Sequence, residues 1–439
     1  MSSGDDFKLK LSETPELLSW PFVGTVGALG IMCGLGGAGF TLLLSIVEQA
    51  AFGFTTGTVA EAVTQASAFR RFCVVTSAGC LVAAAWWTLR KFGPRIPSVS
   101  DAARGNDMPP AWTVADTALQ VINVGAGGSI GREGAPRQLG AMWACLGFRL
   151  LRLSHDQRLA LVACGAGSGL ASIYNVPVGG AFFALECVWG LARLRAQPKQ
   201  AAVVAIACFG ASYLATAVAS IAVPDRPIYP VASWNTDVSL MAFAMLCGPL
   251  FGAAGFGFGA VFDALARRAP KGNAIFWVMP LSYLALACLA IPLPLVLGNG
   301  HALSLHVFSL DLPLYTATWL LAAKPLATFL TVGSGAIGGK LTPSLSTGAV
   351  FGMTLAAGWG LTMWPVSSLG GAVIGAGATL AAAIKAPLSA FVLIIEFTAS
   401  NIYNWPAVAI AVLGASLTAR RLGRLRGLLR PRLGAVDRD

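Results

Sequence analysis

Long apolar runs, most of them interrupted by glycine or proline, limit this sequence to one kind of structure. They can be traced at roughly residues 20–52, 72–89, 112–131, 138–151, 159–192, 200–223, 238–266, 274–298, 314–339, 341–364, 366–399 and 402–418. In lipid no water is at hand for backbone N–H and C=O groups, so such runs form helices, whose hydrogen bonds close within the segment. Several exceed the ~20 residues that a simple span requires. Internal breaks such as Tyr174-Asn-Val-Pro177 and Ile384-Lys-Ala-Pro387 divide the longer ones into paired, tilted or incomplete helices. Composition agrees, with 56% of 439 residues hydrophobic, 11% charged and a mean hydropathy of +0.71, where a soluble domain carries about 25% charged residues. The expected fold class is an all-α polytopic membrane protein.

The net charge of +11 collects in short connections and after the last run, at Arg420, Arg421, Arg424, Arg426, Arg430 and Arg432. Basic residues stay on the cytoplasmic side, which places the C-terminus there. Topology and anionic headgroups account for this tail without nucleic acid. Residues 1–19 are polar and acidic, lack the apolar core of a removable signal peptide, and read as a cytoplasmic lead-in. The membrane domain is expected over 20–418, followed by a basic cytoplasmic tail at 419–439. Within it we place a first repeat at about 20–192 and a second at about 237–418, with Leu191 to Gln200 as a basic hinge. Nine cysteines are scattered through the apolar runs with no CxxC and read as packing residues.

Charge inside the apolar sequence is rare, and the segment Gly127-Gly-Ser-Ile-Gly-Arg-Glu-Gly-Ala-Pro136 sets Arg132 beside Glu133 among four glycines. An ionisable residue at membrane depth is a functional candidate. Glycines let the backbone bring its N–H groups to a ligand, and the helix predicted from Arg137 adds an N-terminus, so the loop reads as an anion site. The two halves repeat. Gly165 to Glu186 lies over Gly375 to Glu396 without a gap, with Gly, Ala, Gly, Leu, Ala, Pro and Glu coinciding. Extended backwards, Gly128 to Pro136 lies over Gly335 to Pro343, which sets Glu133 opposite Lys340 and predicts a second anion-facing loop. Repeats of this size place a transport site at their interface.

Other classes fit less well. Gly127-Gly-Ser-Ile-Gly131 matches the Gly-x-Ser-x-Gly pattern of serine hydrolases, but such an enzyme needs a base on a neighbouring segment, and none of His155, His301 and His306 lies in a convincing span. A cation or neutral-solute transporter would surround its site with acidic groups or carbonyls, where this chain has glycine-rich N-termini, Arg132 and Lys340. The histidines are too isolated for a metal site. No enzyme activity, cofactor or metal is expected.

Taken in order, Gly131-Arg-Glu-Gly134, Tyr174-Asn-Val-Pro-Val-Gly-Gly180 leading to Glu186, Gly338-Gly-Lys-Leu-Thr-Pro343 and Lys385-Ala-Pro-Leu388 leading to Glu396 have the order and spacing of motifs in the CLC anion channels and transporters. The chain resembles that family over roughly residues 20–418, as a prokaryotic-type member without appended cytoplasmic domains. The resemblance implies two inverted repeats, a homodimer with one pathway per subunit, and a site in a bacterial inner membrane. It makes Glu133 the gating glutamate and puts Gly93, Pro94, Arg95, Gly131, Arg132, Gly134, Gly339, Lys340, Leu341 and Thr342 along the anion pathway. A carboxylate is itself a tethered anion, so N–H groups that bind chloride also bind it.

Departures from the family pattern shape the rest. Pro94 in Gly93-Pro-Arg-Ile-Pro97 replaces the family's coordinating serine, a change associated there with nitrate preference. Cys187 stands at the position of the antiporters' internal proton glutamate, with Glu186 adjacent as a substitute. Lys340 is expected to pair with Glu133 and bias the gate. No tyrosine follows Tyr403 to close the inner side of the site. The expected function is transport of chloride, with nitrate or other monovalent anions as further substrates and weak or absent proton coupling. The alternative is a proton-coupled antiporter using another proton route.

Overall fold

The computed structural model describes residues 19–53, 63–151, 153–361 and 364–429. The lead-in before residue 19, most of the polar loop expected at 55–68, and the tail residues Arg430 and Arg432 lie outside the described residues. The chain order of the main helices is α1 Trp20–Phe52, α2 Ala68–Phe92, α3 Val99–Ala103, α4 Pro110–Gly125, α5 Gly134–Leu151, α6 His155–Tyr174 and α7 Pro177–Phe183, which continues as a π-helical turn, Ala184–Gly190. Then come α8 Leu191–Ala196, α9 Pro198–Ala219, α10 Val238–Arg268, α11 Ile275–Ala290, α12 His301–Phe308 and α13 Leu314–Gly333. The last four are α14 Leu341–Trp359, α15 Ser368–Ile384, α16 Pro387–Thr398 and α17 Trp405–Leu429. Among the described residues, seven helical stretches are long and apolar enough to cross a membrane. Their outer faces expose Leu42, Leu81, Ile206, Leu246 and Leu281, as suits contact with lipid.

The apolar runs and the helices coincide closely because the punctuation is local. Pro177 and Pro387 stand at the first positions of α7 and α16, where a missing N–H costs nothing. The preceding helices end at Asn175 and Lys385 with φ of +51° and +60°. These two left-handed residues close α6 and α15 in the same way. Where the chain leaves α2, a capping box between Ser98 and Asp101 starts α3, and its hydrogen bonds hold the Asp101 carboxyl below its ordinary range.

The closest helix packings come in pairs. α5 against α6 is matched by α14 against α15, α1 against α9 by α10 against α17, and α1 against α6 by α10 against α15. Since α9 is the counterpart of α17, the symmetric unit of the first half takes in Pro198–Ala219, beyond the boundary expected at 192. The segment expected as a hinge holds α8 and the start of α9, and the link between halves runs from 220 to 237. Glycine permits the tightest of these contacts. A Cβ on Gly140 would strike the backbone of Gly165, and one on Gly348 or Gly352 would strike Gly375 or Gly371.

The halves also exchange caps. Glu186, on the π-helical turn, accepts N–H bonds from Leu388 at 3.3 Å and Ser389 at 2.7 Å, at the start of α16. Glu396, on α16, accepts them from Val178 at 3.0 Å and Gly179 at 2.5 Å, at the start of α7. Each carboxylate thus satisfies the free N–H groups of the opposite repeat's short helix.

Candidate functional site

Two glycine loops meet between the repeats. One leaves α4 and runs from Gly127 to Glu133; the other leaves α13 and runs from Gly335 to Lys340. Gly131 and Gly339 exchange both backbone hydrogen bonds, each 2.8 Å, as an antiparallel bridge. Gly127 and Gly335 turn alike, with φ of +103° and +101°. The antiparallel pairing of equivalent loops is the inversion of the repeats seen at residue level, and α5 and α14 both begin at this junction.

Glu133, immediately before α5, is fully buried and reaches across to α14. Its Oε1 accepts the Leu341 N–H at 2.6 Å, and its Oε2 accepts the Thr342 hydroxyl at 3.0 Å. The Tyr174 hydroxyl lies 3.5 Å from the same Oε2. A helix N-terminus carries roughly half a positive charge with unpaired N–H groups. The carboxylate therefore stands where a helix end and two hydroxyls converge, which is the chemistry of a small-anion position.

The register of the loops corrects one expectation. With Gly131 and Gly339 as equivalent residues of the two loops, Arg132 corresponds to Lys340 and Glu133 to Leu341, one residue away from the alignment by sequence identity. A shift of one along an extended segment turns a side chain to the other side. Lys340 accordingly does not pair with Glu133; its Nζ bonds Asp263 of α10 at 2.7 Å. Arg132 enters a cavity that also holds Glu48 of α1, with its guanidinium 5.1 Å from the Tyr174 ring centroid. Because α1 and α10 are equivalent, each loop directs its cation towards an acid on the first long helix of a half.

Tyr174 also alters the reading of the missing tyrosine. Among the described residues after Tyr403 none bonds Glu133 through a hydroxyl, and the tyrosine beside it is the C-terminal residue of α6, packed edge-on against Phe397. Its position directly before the Asn175 break was the available signal. Lys324 was missed altogether. From α13 its buried Nζ donates to Ser129 Oγ at 3.0 Å, Val296 O at 2.9 Å and Gly298 O at 2.8 Å. Ser129 is fully buried, and its N–H bonds Thr331 Oγ1 at 3.2 Å. Through these contacts Ser129 ties the Gly127 loop to α13.

Two cavities with no lining residue in common reach the junction. The first, about 620 Å³, is lined by the predicted pathway residues Gly93, Pro94, Arg95 and Gly134 together with Arg90 and Arg137. The second, about 440 Å³, is bounded by Gly127 and holds Glu48, Arg132, Asn299 and His301. Cys187 lies exposed on the π-helical turn. Its neighbour Glu186, the expected proton substitute, is bonded to the start of α16, including Ser389 Oγ at 2.6 Å.

Residues 78–420 match the family model described as voltage gated chloride channel. A ClcB-like chloride channel protein of Ralstonia nicotianae is 32% identical over 71% of this chain and 74% of its own length. An H+/Cl− exchange transporter, ClcA, of Cronobacter sakazakii is 28% identical over 77% and 74%. Among solved structures, a slow cyanobacterial Cl−/H+ antiporter superposes with a TM-score of 0.79, covering 94% of this chain and 100% of that one at 22% identity.

Proposed function

This chain is a member of the CLC family of voltage gated chloride channels, an anion-transporting membrane family, and on that premise we propose that it conducts chloride through a pathway closed by the Glu133 carboxylate. The observation that carries this reading is the Leu341 N–H at 2.6 Å from Glu133 Oε1, with Thr342 beside it. A carboxylate held by the donors of a helix N-terminus competes with any small anion for the same place. Removing that charge, as in Glu133→Gln, vacates the place and raises chloride flux.

Two readings of proton coupling have support. Weak or absent coupling is favoured by Cys187 and by Glu186, whose oxygens are occupied by α16. Obligatory exchange is favoured at least as well by relatives named H+/Cl− exchange transporters. Purified protein in liposomes, with chloride, bromide, nitrate and fluoride flux recorded alongside proton movement, separates them. Protons driven uphill by a chloride gradient at fixed stoichiometry establish exchange; chloride flux without them establishes passive transport. An absence of flux for every anion refutes both.

The basic ends support a cytoplasmic C-terminus. Arg90 of α2, Arg267 of α10 and Lys271 share one cavity, and Arg267, Lys385 and Arg426 of α17 share another, so these ends lie on one face. The family likeness supports assembly as a homodimer in a bacterial inner membrane.

A further inference from the structure

The first cavity has a charge that the fold does not balance. Three arginines, Arg90, Arg95 and Arg137, line it against a single acid, Asp116. Asp116 is not engaged by any of them: its oxygens accept from Trp86 Nε1 at 3.0 Å, Gln120 Nε2 at 2.9 Å and Gln138 Nε2 at 3.3 Å. Arg90 is committed elsewhere, donating to Gly335 O at 2.6 Å. Arg95 is exposed at the mouth.

Arg137 differs from both. It projects from the first turn of α5, four residues beyond Glu133, and its guanidinium lies 4.3 Å from the Phe183 ring centroid. No carboxylate pairs with it among the described residues, and its buried Nε has no hydrogen-bond partner. Arg137 is half-buried, and a guanidinium partly withdrawn from water with no acid bonded to it is costly. A mobile anion in the cavity is the group that relieves that cost. The unpartnered Nε–H belongs to the planar edge that matches trigonal oxygens two at a time, a fit no spherical halide can make.

We propose that Arg137 is an anion-binding residue of this cavity, holding the permeant anion next to Glu133 and selecting planar oxyanions such as nitrate over chloride. The inference rests on the anion-transport reading and names a substrate class and a specificity residue for it.

The test compares wild type, Arg137→Gln and Arg137→Lys in liposomes at low anion concentration. Removing both the charge and the fork in Arg137→Gln lowers chloride flux about tenfold and nitrate flux by a still larger factor. Arg137→Lys, which keeps the charge but not the fork, recovers at least half the chloride flux while the nitrate-to-chloride ratio falls at least threefold. Unchanged flux and an unchanged ratio in both variants overturn the proposal. A second measurement stands apart from transport: in detergent, nitrate raises the thermal midpoint of wild type more than chloride does, and the difference disappears in Arg137→Gln. If wild type carries no anion yet shows that stabilisation, the transport reading fails and the binding residue stands. If nitrate stabilises wild type and Arg137→Gln equally, the binding residue fails whatever the flux. If the variant does not fold, the Arg137→Lys ratio decides alone.

Discussion

At the scale of single residues, the side chains around the junction divide into one that occupies the anion position and several that hold it in place. Lys324 belongs to the second group. Its loss in Lys324→Met leaves Ser129 Oγ and two carbonyls without their shared donor, and the expected cost is on the order of 2 kcal/mol, read as a lowered thermal midpoint in detergent. Lys340 and Asp263 are both partly exposed, so a double-mutant cycle on that pair should give a coupling below about 1 kcal/mol. A cycle between Lys340 and Glu133 should give none. That contrast shows why part of the site was hidden in the sequence. Arg132, Glu133 and Lys340 stand out as charges in apolar sequence, whereas Asp263 is remote along the chain and Tyr174 is one more aromatic residue at a helix end. Partnership between remote segments is set by a register that one residue reverses.

At the scale of elements, the structure is governed by helix ends. Prolines at the start of α7 and α16 and left-handed residues before them are readable from composition, and the helices fall where the apolar runs are. What sequence could not show is which group satisfies each free end. Glu186 and Glu396 each cap a short helix of the opposite repeat. Glu396→Ala should therefore loosen α7, a different element, at a cost of about 1 kcal/mol, visible as faster amide exchange at Val178 and Gly179 with little change in α16 itself. Packing is equally specific at Gly348, where an added Cβ meets the backbone of Gly375. Gly348→Ala is expected to destabilise by about 1–3 kcal/mol, measured by thermal melting, because the two helices must separate to admit it.

At the scale of the whole molecule, the inverted repeat explains why one site exists at all. Neither half alone builds this junction; the first supplies Glu133 and Tyr174, the second supplies Leu341 and Thr342. The cavities that approach from either side carry different charge, with unbalanced arginines in one and a mixture of Glu48, Arg132 and His301 in the other. If the chain transports as proposed, the same anion gradient applied in opposite directions should give unequal flux in oriented liposomes. The central claim is that Glu133 occupies a place meant for an anion, and anomalous diffraction from bromide-grown crystals tests it most directly. In Glu133→Ala, a bromide peak is predicted within hydrogen-bonding distance of the Leu341 N–H and the Thr342 hydroxyl, with none there in wild type at neutral pH. A variant with no bromide beside those two donors would contradict the account.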